Sequence, residues 1–201
     1  MSKTGESVDP KPIHLIVAAC RNRGIGQNGD MPWSLPNEFK YCLNTITSVK
    51  TPGKKNLIIW GRKTSAQFTG DYMPLRNCLT VLLTTTMRSL PKHAHYICSD
   101  LESAIQLAYT QNLSEEIETI WVLGGVKSFT EAMKHPLCRR IHFTDIMADF
   151  NCDVFFPEFD ENIFKLVEEF PGIPSGIQEE NGIKYEFRVF AKHSICTKNI
   201  N

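Results

Sequence analysis

The sequence predicts an α/β fold: a mixed β-sheet with helices on both faces and an antiparallel finish. Short apolar runs typical of buried strands alternate with helical patterns through the first 150 residues, which favours parallel strands joined by helices. The last fifty residues contain two strand-like runs joined by a loop rich in Gly and Pro. The length of 201 residues, without a repeat or a linker, suits one domain over 1–201.

The N-terminal half supplies the first alternation of strand and helix. Residues 13–19 form an apolar run that predicts a strand. Apolar side chains spaced i, i+3, i+4 and i+7 predict a helix over 38–47, with Asn37 as its N-cap. A second buried strand over 56–60 leads into a brief helix over 62–68.

The C-terminal half repeats the alternation before it changes character. The pattern predicts further strands at 79–83, 95–98, 119–123 and 140–146, a helix capped by Asp100, and a helix over 128–135. Two final strands are predicted over 164–170 and 185–191, the second with the alternating polarity of an antiparallel edge.

Composition excludes several classes of function. The 22 basic and 22 acidic side chains balance, so the excess positive charge of a nucleic-acid-binding protein is missing. No apolar stretch approaches the ~20 residues of a membrane span, and the polar segment 1–12 is predicted to be a flexible tail. Seven singly spaced cysteines indicate reduced thiols in a cytoplasmic protein, and no histidine pattern indicates a metal site.

Gly24, Gly26 and Gly29 follow the first strand in the spacing G-x-G-x-x-G of a Rossmann dinucleotide site. That site needs a helix starting within the glycines, and Pro32 and Pro36 prevent one. It also needs an acid about 20 residues on, yet none lies between Phe39 and Gly70. We interpret the segment as a loop at the carboxyl ends of the strands, with a tight turn at Asn28-Gly29, which could act as a lid or be an ordinary connection.

Two other segments have the chemistry that phosphate binding requires. In 61–64 (GRKT) and 123–128 (LGGVKS), a strand ends in glycine and a helix begins, which leaves backbone N–H groups free for an anion. Arg62 and Thr64 add a guanidinium and a hydroxyl. Either segment alone is weak evidence for phosphate binding, but together they predict a phosphate-rich cofactor such as a dinucleotide.

Glu38 is the acid to which the sequence draws attention. It lies in the first turn of a predicted helix, where an acid often only complements the helix dipole. Its apolar neighbours, among them Ile16, Trp33 and Phe39, should desolvate the carboxyl and raise its pKa. A buried carboxylate can also bind a planar N–C–N edge with two hydrogen bonds, or help to deliver a proton. The residues alone leave both interpretations open.

The chain resembles the dihydrofolate reductase family from about residue 13 to residue 192. The matching motifs occur in family order: 16–19 (IVAA), 24–26 (GIG), 28–33 (NGDMPW), 35–39 (LPNEF), 61–64 (GRKT), 74–75 (PL), 121–125 (WVLGG), 143–144 (FT), 153–158 (DVFFPE) and 182–185 (GIKY). The resemblance implies an eight-stranded, mostly parallel sheet and a monomer without a fused thymidylate synthase. It implies hydride transfer from NADPH to C6 of 7,8-dihydrofolate with protonation of N5, and binding of antifolates.

The resemblance also implies roles for individual residues. Glu38 would hold the pterin, Trp33 and Thr144 would order the network around it, and Met31 would close over the nicotinamide. The implied substrate-binding residues are Ile16, Val17, Ala18, Glu38, Phe39, Cys42, Phe68, Leu75, Arg76, Leu123, Phe129 and Thr144. The implied cofactor-binding residues are Ala18, Ile25, Gly26, Gly29, Asp30, Gly61, Arg62, Lys63, Thr64, Leu83, Thr84, Thr85, Gly124, Gly125, Val126, Lys127, Ser128 and Phe129.

Three positions depart from the family pattern. Cys78 stands where the family usually has the Arg that binds the substrate's glutamate, and Arg76 is a candidate replacement. Cys42 stands where the family commonly has Phe. Thr85 stands at a position that is often basic in the family, so Arg62 would have to provide more of the binding to the cofactor's 2′-phosphate. Two alternatives remain: an NADPH-dependent pyrimidine reductase of riboflavin synthesis, which the pattern from Trp33 to Glu38 disfavours, and a non-catalytic NADPH- or folate-binding module.

Overall fold

The computed structural model describes residues 9–68 and 70–193, which form eleven strands and four α-helices. The strands are β1 (Ile13–Cys20), β2 (Gly24–Gly26), β3 (Lys55–Gly61), β4 (Cys78–Leu83), β5 (Tyr96–Cys98), β6 (Ile117–Val122), β7 (Cys138–Ile146), β8 (Val154–Phe155), β9 (Phe164–Leu166), β10 (Ile177–Glu180) and β11 (Ile183–Lys192). The helices are α1 (Pro36–Thr47), α2 (Arg62–Ser65), α3 (Leu101–Leu107) and α4 (Val126–Lys134).

The main sheet is eight strands wide, in the order β10-β11-β7-β1-β6-β3-β4-β5. The six strands from β7 to β5 run parallel, whereas β11 pairs antiparallel with β7 and with β10. The short strand β9 also pairs with β11, at the opposite end from β10. The predicted eight-stranded mixed sheet with an antiparallel edge is confirmed.

The two faces of the sheet carry separate apolar cores. Alternate residues of β3 show the division, because successive side chains of a strand point to opposite faces. Leu57 and Ile59 pack with residues of α3 and α4, whereas Ile58 and Trp60 pack in the cluster that contains Ile46 of α1. Helices therefore cover both faces, as predicted.

Both ends of α1 are held by side chains from the sheet. The carboxylate of Glu180 in β10 accepts from the backbone N–H of Asn37, at 3.1 and 3.0 Å. At the other end, the buried Asn56 side chain donates from Nδ2 to the carbonyls of Ile46 and Ser48, both at 2.8 Å. Asn37 is inside the helix and Leu35 precedes it without a side-chain cap, so the predicted N-cap is wrong. By contrast, the predicted cap of α3 by Asp100 is confirmed.

The glycine-rich segment after β1 is more ordered than a plain loop. Gly24 and Gly26 belong to β2, which pairs with β8, and a Cβ built at Gly24 would come within 2.4 Å of the Cys152 sulfur. Asn28 and Gly29 then form the predicted tight turn. Both have positive φ, 53° and 88°, as a type I′ turn requires. No helix begins here, so the rejection of a Rossmann site is correct.

The C-terminal elements differ most from the prediction. The run over 164–170 is a strand only at Phe164–Leu166 and then becomes a loop. Strand β10 was not predicted; it joins β11 through a two-residue turn at Asn181 and Gly182, both with positive φ. The predicted helix over 62–68 is also shorter and ends at Ser65.

Of the predicted tail, residues 1–8 lie outside the described part of the chain. Lys11 is buried, and its backbone N–H donates to the Tyr109 hydroxyl at 2.8 Å, so the tail prediction extends too far. Each of the six described cysteines is a free thiol. Within residues 9–68 and 70–193, no helix is long and apolar enough to cross a membrane, and no group of three metal-ligating side chains is assembled.

Candidate active site

A cavity of about 170 Å³ lies at the carboxyl ends of the central strands, where β1 and β6 finish. Of the residues predicted from the sequence, the cavity is lined by Ile16, Val17, Ala18, Ile25, Gly26, Gly29, Asp30, Met31, Glu38, Phe39, Cys42, Lys63, Thr64, Phe68, Leu123, Gly124, Gly125 and Phe129. Residues from both predicted phosphate segments, the glycine-rich segment and α1 therefore meet at one place.

Glu38 is the acidic side chain that reaches the cavity from α1, and it is only 6% exposed. One carboxylate oxygen accepts from the Thr144 hydroxyl at 2.7 Å. Burial raises the pKa of Glu38 to about 7 and the nearby Glu180 adds to this rise, whereas the Thr144 hydrogen bond opposes it. The predicted upward shift is confirmed, and the group can hold or release a proton near neutral pH.

Trp33 and Thr144 do not line the cavity, and of the two only Thr144 is shown to bind Glu38. Thr144 is buried on β7, directly beside Ala18 of β1 in the sheet. Trp33 is 7% exposed and packs edge-on against Phe150 at 5.5 Å between ring centroids. Its indole Nε1 has no hydrogen-bond partner among the described residues. A buried N–H without an acceptor is costly, so this donor is available for an ordered water or a ligand atom.

The segment that carries Met31 borders the cavity on one side. It is anchored by paired backbone hydrogen bonds between Gln27 and Asp30, at 2.8 and 3.0 Å, and the backbone N–H of Asn28 donates to the Asp153 carboxylate. Asp30 accepts in turn from the backbone N–H of Met31. Met31 itself is half-buried at the cavity wall, in the position predicted for a lid.

The opposite wall is aromatic and apolar. Phe39 of α1 packs against Phe68 and Tyr72, with ring centroids 5.0 and 5.1 Å away, and Phe68 continues to Trp60. Cys42 lies one turn after Phe39 and also faces the cavity. Burial raises the pKa of the Cys42 thiol, so it is a neutral group on this wall. A planar apolar ring would fit between these side chains.

The two phosphate segments lie side by side because β3 and β6 are neighbours in the sheet. The backbone N–H of Gly61 donates to the carbonyl of Gly124 at 3.2 Å. Neither α2 nor α4 has a side-chain cap at its start, which leaves N–H groups of their first turns free for an acceptor. Gly124 has φ of +140°, and a Cβ there would lie 2.6 Å from the Thr64 hydroxyl. This crowded, uncapped corner suits a phosphate group.

The remaining predicted residues do not line the cavity. They are Leu75, Arg76, Gly61, Arg62, Leu83, Thr84, Thr85, Val126, Lys127 and Ser128. Arg62, Arg76 and Lys127 are exposed around it, and Leu75 is buried in the core beneath. Gln67 and Val154 line the cavity without having been predicted. Gln67 follows α2, and Val154 pairs with Gly26 across the small sheet. No local sequence signal marks either position.

Glu38→Gln should change how stability depends on pH. The folded protein holds the carboxyl with a pKa near 7, above the ordinary 4.5, so wild-type stability is lost as pH rises from about 4.5 to about 7. At pH 8 the variant should be more stable than wild type by on the order of 2–3 kcal/mol, and near pH 4.5 the two should agree. Urea unfolding at both pH values measures this, and parallel stability curves would contradict the raised pKa.

Comparison with known proteins agrees with this geometry. The pattern of the family described as "Dihydrofolate reductase" matches residues 12–192. Curated dihydrofolate reductases of Bos taurus and Drosophila melanogaster are 40% and 41% identical, over 92% and 90% of this chain and 99% and 98% of theirs. The solved Schistosoma mansoni dihydrofolate reductase superposes with a TM-score of 0.81 at 27% identity, over 92% of this chain and 100% of its own. The chain belongs to the dihydrofolate reductase family.

Proposed function

We propose that the protein reduces 7,8-dihydrofolate to 5,6,7,8-tetrahydrofolate at the expense of NADPH. The observation that carries this proposal is Glu38: a buried carboxyl with a pKa near 7, in a cavity whose neighbouring corner is built for phosphate. NADPH supplies a hydride from C4 of its nicotinamide to C6 of the pterin, N5 gains a proton, and NADP⁺ is the second product.

Glu38 binds and orients the pterin in this proposal. Its carboxylate accepts two hydrogen bonds from the 2-amino group and N3, an edge that resembles a guanidinium. Thr144 holds the carboxylate in place with its hydroxyl. Since the pKa is near 7, the group is partly protonated at neutral pH and assists protonation of N5, with an ordered water between Glu38 and Trp33 as the route.

The dinucleotide fits the corner between α2 and α4. The uncapped N–H groups at Gly125, Val126, Lys127 and Ser128, with the Thr64 hydroxyl, would hold its pyrophosphate. The exposed Arg62 guanidinium, with Thr84 and Thr85, pairs with the ribose 2′-phosphate. A positive charge there favours NADPH over NADH.

The segment with Met31 is the proposed lid of the site. The cavity of about 170 Å³ is smaller than the ~300–1,000 Å³ of typical small-molecule sites. Gly29, Asp30 and Met31 line the cavity from the connecting segment that follows β2. We therefore assign this turn as the lid that admits the ligands and then excludes water.

Arg76 is the proposed partner of the substrate's glutamate carboxylate. Cys78, at the usual position of that partner, is buried in β4, and its thiol donates to the Ile46 carbonyl at 3.4 Å. It is therefore a core residue without charge. Arg76 lies two residues earlier, outside the strand and exposed to solvent, where a guanidinium can reach a ligand that extends from the cavity.

The alternatives fit less well. The comparisons do not favour a pyrimidine reductase, and a purely binding module would not need a carboxyl held near neutral pKa.

The proposal extends to a one-domain monomer working in the cytoplasm. One sheet with a core on each face organises the described residues, and free thiols are typical of a reducing compartment.

Glu38→Gln should lower dihydrofolate-dependent turnover by at least about 100-fold, since the variant cannot hold a proton for N5 or pair with the pterin as an anion. NADPH binding should stay within about twofold, because the phosphate corner is unchanged. The measurement is NADPH oxidation by purified protein with and without dihydrofolate, with Glu102→Gln on α3 as the matched control. Wild type without a dihydrofolate-dependent rate would disprove the proposed reaction, and an unchanged variant would disprove the role of Glu38.

Arg62→Ala should raise the KM for NADPH by about tenfold or more and leave the KM for NADH nearly unchanged, because only NADPH carries the 2′-phosphate. Steady-state kinetics with each cofactor at saturating dihydrofolate tests this. Arg21→Ala, which removes an exposed arginine paired with Asp149, is the control and should change neither value. Equal effects of Arg62→Ala on the two cofactors would refute the assignment.

Arg76→Ala should raise the KM for dihydrofolate by about tenfold while changing that for NADPH by less than about twofold, because the lost contact is to the substrate's glutamate alone. A substrate without this glutamate carboxylate should show a similarly raised KM with wild type, and its removal should not raise the KM of the variant any further. Lys134→Ala on α4 serves as the control. A normal KM for dihydrofolate in Arg76→Ala would rule out this residue as the replacement.

A further inference from the structure

A second groove, of about 1000 Å³, lies on the other flank of α1 from the cavity. The cavity is lined from α1 by Glu38, Phe39 and Cys42, whereas the groove is lined by Asn37, Lys40, Tyr41, Asn44 and Thr45. Its far wall is the loop 170–174, and its floor is the first half of β1 together with β6 and β7. None of the residues assigned to the proposed reaction belongs to it.

The floor of the groove consists of polar rings instead of the aliphatic side chains found elsewhere on this face. His14, Trp121 and His142 form a cluster, with centroids 5.1 Å apart for His14–Trp121 and 5.0 Å for Trp121–His142. The three rings are 5–7% exposed. His14 Nδ1, Trp121 Nε1 and His142 Nδ1 have no hydrogen-bond partner in the described residues. These three nitrogens are themselves buried, so they are not presented to a ligand in the groove.

Positive charge surrounds this floor. Lys40, Lys50 and Arg140 line the groove and have no ion-pair partner within residues 9–68 and 70–193. The one acidic lining residue, Glu118, is committed to the backbone N–H groups of Lys50 and Thr51, both at 2.8 Å. The groove therefore offers donors and cations with little to oppose a negative ligand.

The electrostatics of the floor agree with this. Burial, together with His142, Arg140 and Lys50, lowers the pKa of His14 to about 3. Burial and Arg140 lower the pKa of His142 to about 4. Both imidazoles are neutral at pH 7, so the positive charge of the groove comes from its lysine and arginine side chains. Phe170, 5.5 Å from His142 and 4.9 Å below the Arg140 guanidinium, supplies an apolar ring at the edge.

We propose that this groove is a second ligand site, and that it binds a compact anion attached to a planar ring. The anionic oxygens pair with Lys50 and Arg140, while the ring packs beside Trp121 and Phe170. The volume is that of a typical small-molecule site. Phosphate and carboxylate share the required chemistry, so aryl phosphates and aryl carboxylates are both candidates.

The test uses phenyl phosphate as the probe and NMR of the full chain as the readout. The Trp121 indole N–H, one of three in the chain and assigned with Trp121→Phe, should shift saturably on titration, as should the ring signals of His14 and His142. The Met31 methyl signal in the other cavity should stay unchanged. A titration with benzoate tests whether an aryl carboxylate binds in place of an aryl phosphate. Inorganic phosphate, without a ring, and phenol, without the charge, should each bind at least about tenfold more weakly.

Lys50→Ala and Arg140→Ala should each weaken the binding of phenyl phosphate by about tenfold. The matched control Lys134→Ala should leave the binding unchanged. Lys50 is exposed, so its variant keeps the test decisive even where Arg140→Ala fails to fold. The proposal is overturned if the Trp121 signal does not saturate, if phenol binds equally well, if both variants bind as wild type, or if the probe shifts only Met31. The readout requires no turnover, so it is independent of the proposed reaction.

Discussion

The burial of one carboxyl group, Glu38, is the constraint on which the rest of this structure depends. A carboxylate loses much of its hydration when it is almost fully buried, and a single hydroxyl from Thr144 replaces only part of it. The group therefore stays in place only because α1 is fixed. Glu180 holds the first turn of α1 and Asn56 holds its last carbonyls, so residues from opposite parts of the sheet position this side chain.

The parallel order of the central strands accounts for the rest of the site. Because β1, β6 and β3 are neighbours running in one direction, their carboxyl ends meet at one edge of the sheet. That edge brings the starts of α2 and α4 together and places the cavity next to them. The glycine spacing after β1 belongs to the same edge but has a different use. Gly24 and Gly26 build a small strand, whereas the proposed phosphate site uses the glycines at the end of β3 and after β6.

Local chemistry made much of this predictable from sequence. Apolar periodicity located α1 and the strands other than β2, β8 and β10. The Asn28-Gly29 dipeptide specified its turn, and apolar neighbours indicated the raised pKa of Glu38. The missed features depend on partners distant in the chain. Glu180 replaces a local N-cap from 143 residues away, and β10, which was not predicted, exists as a strand because β11 offers it an edge. The turn of the last hairpin did carry a signal, Asn181-Gly182, the same dipeptide that marks the first turn.

Helix α1 separates two environments that differ in charge and in polarity. The charge that acts on Glu38 comes from Glu180, whereas His14 on the other side responds to His142, Arg140 and Lys50. Tyr41, however, lines the groove, and the charge of Glu38 contributes to the raised pKa of its hydroxyl, so the two sites also interact across the helix. A second route between them would be a shift of α1. Its two anchors oppose such a shift, because moving the helix would break hydrogen bonds to Glu180 or to the buried Asn56, and leave polar groups there without partners.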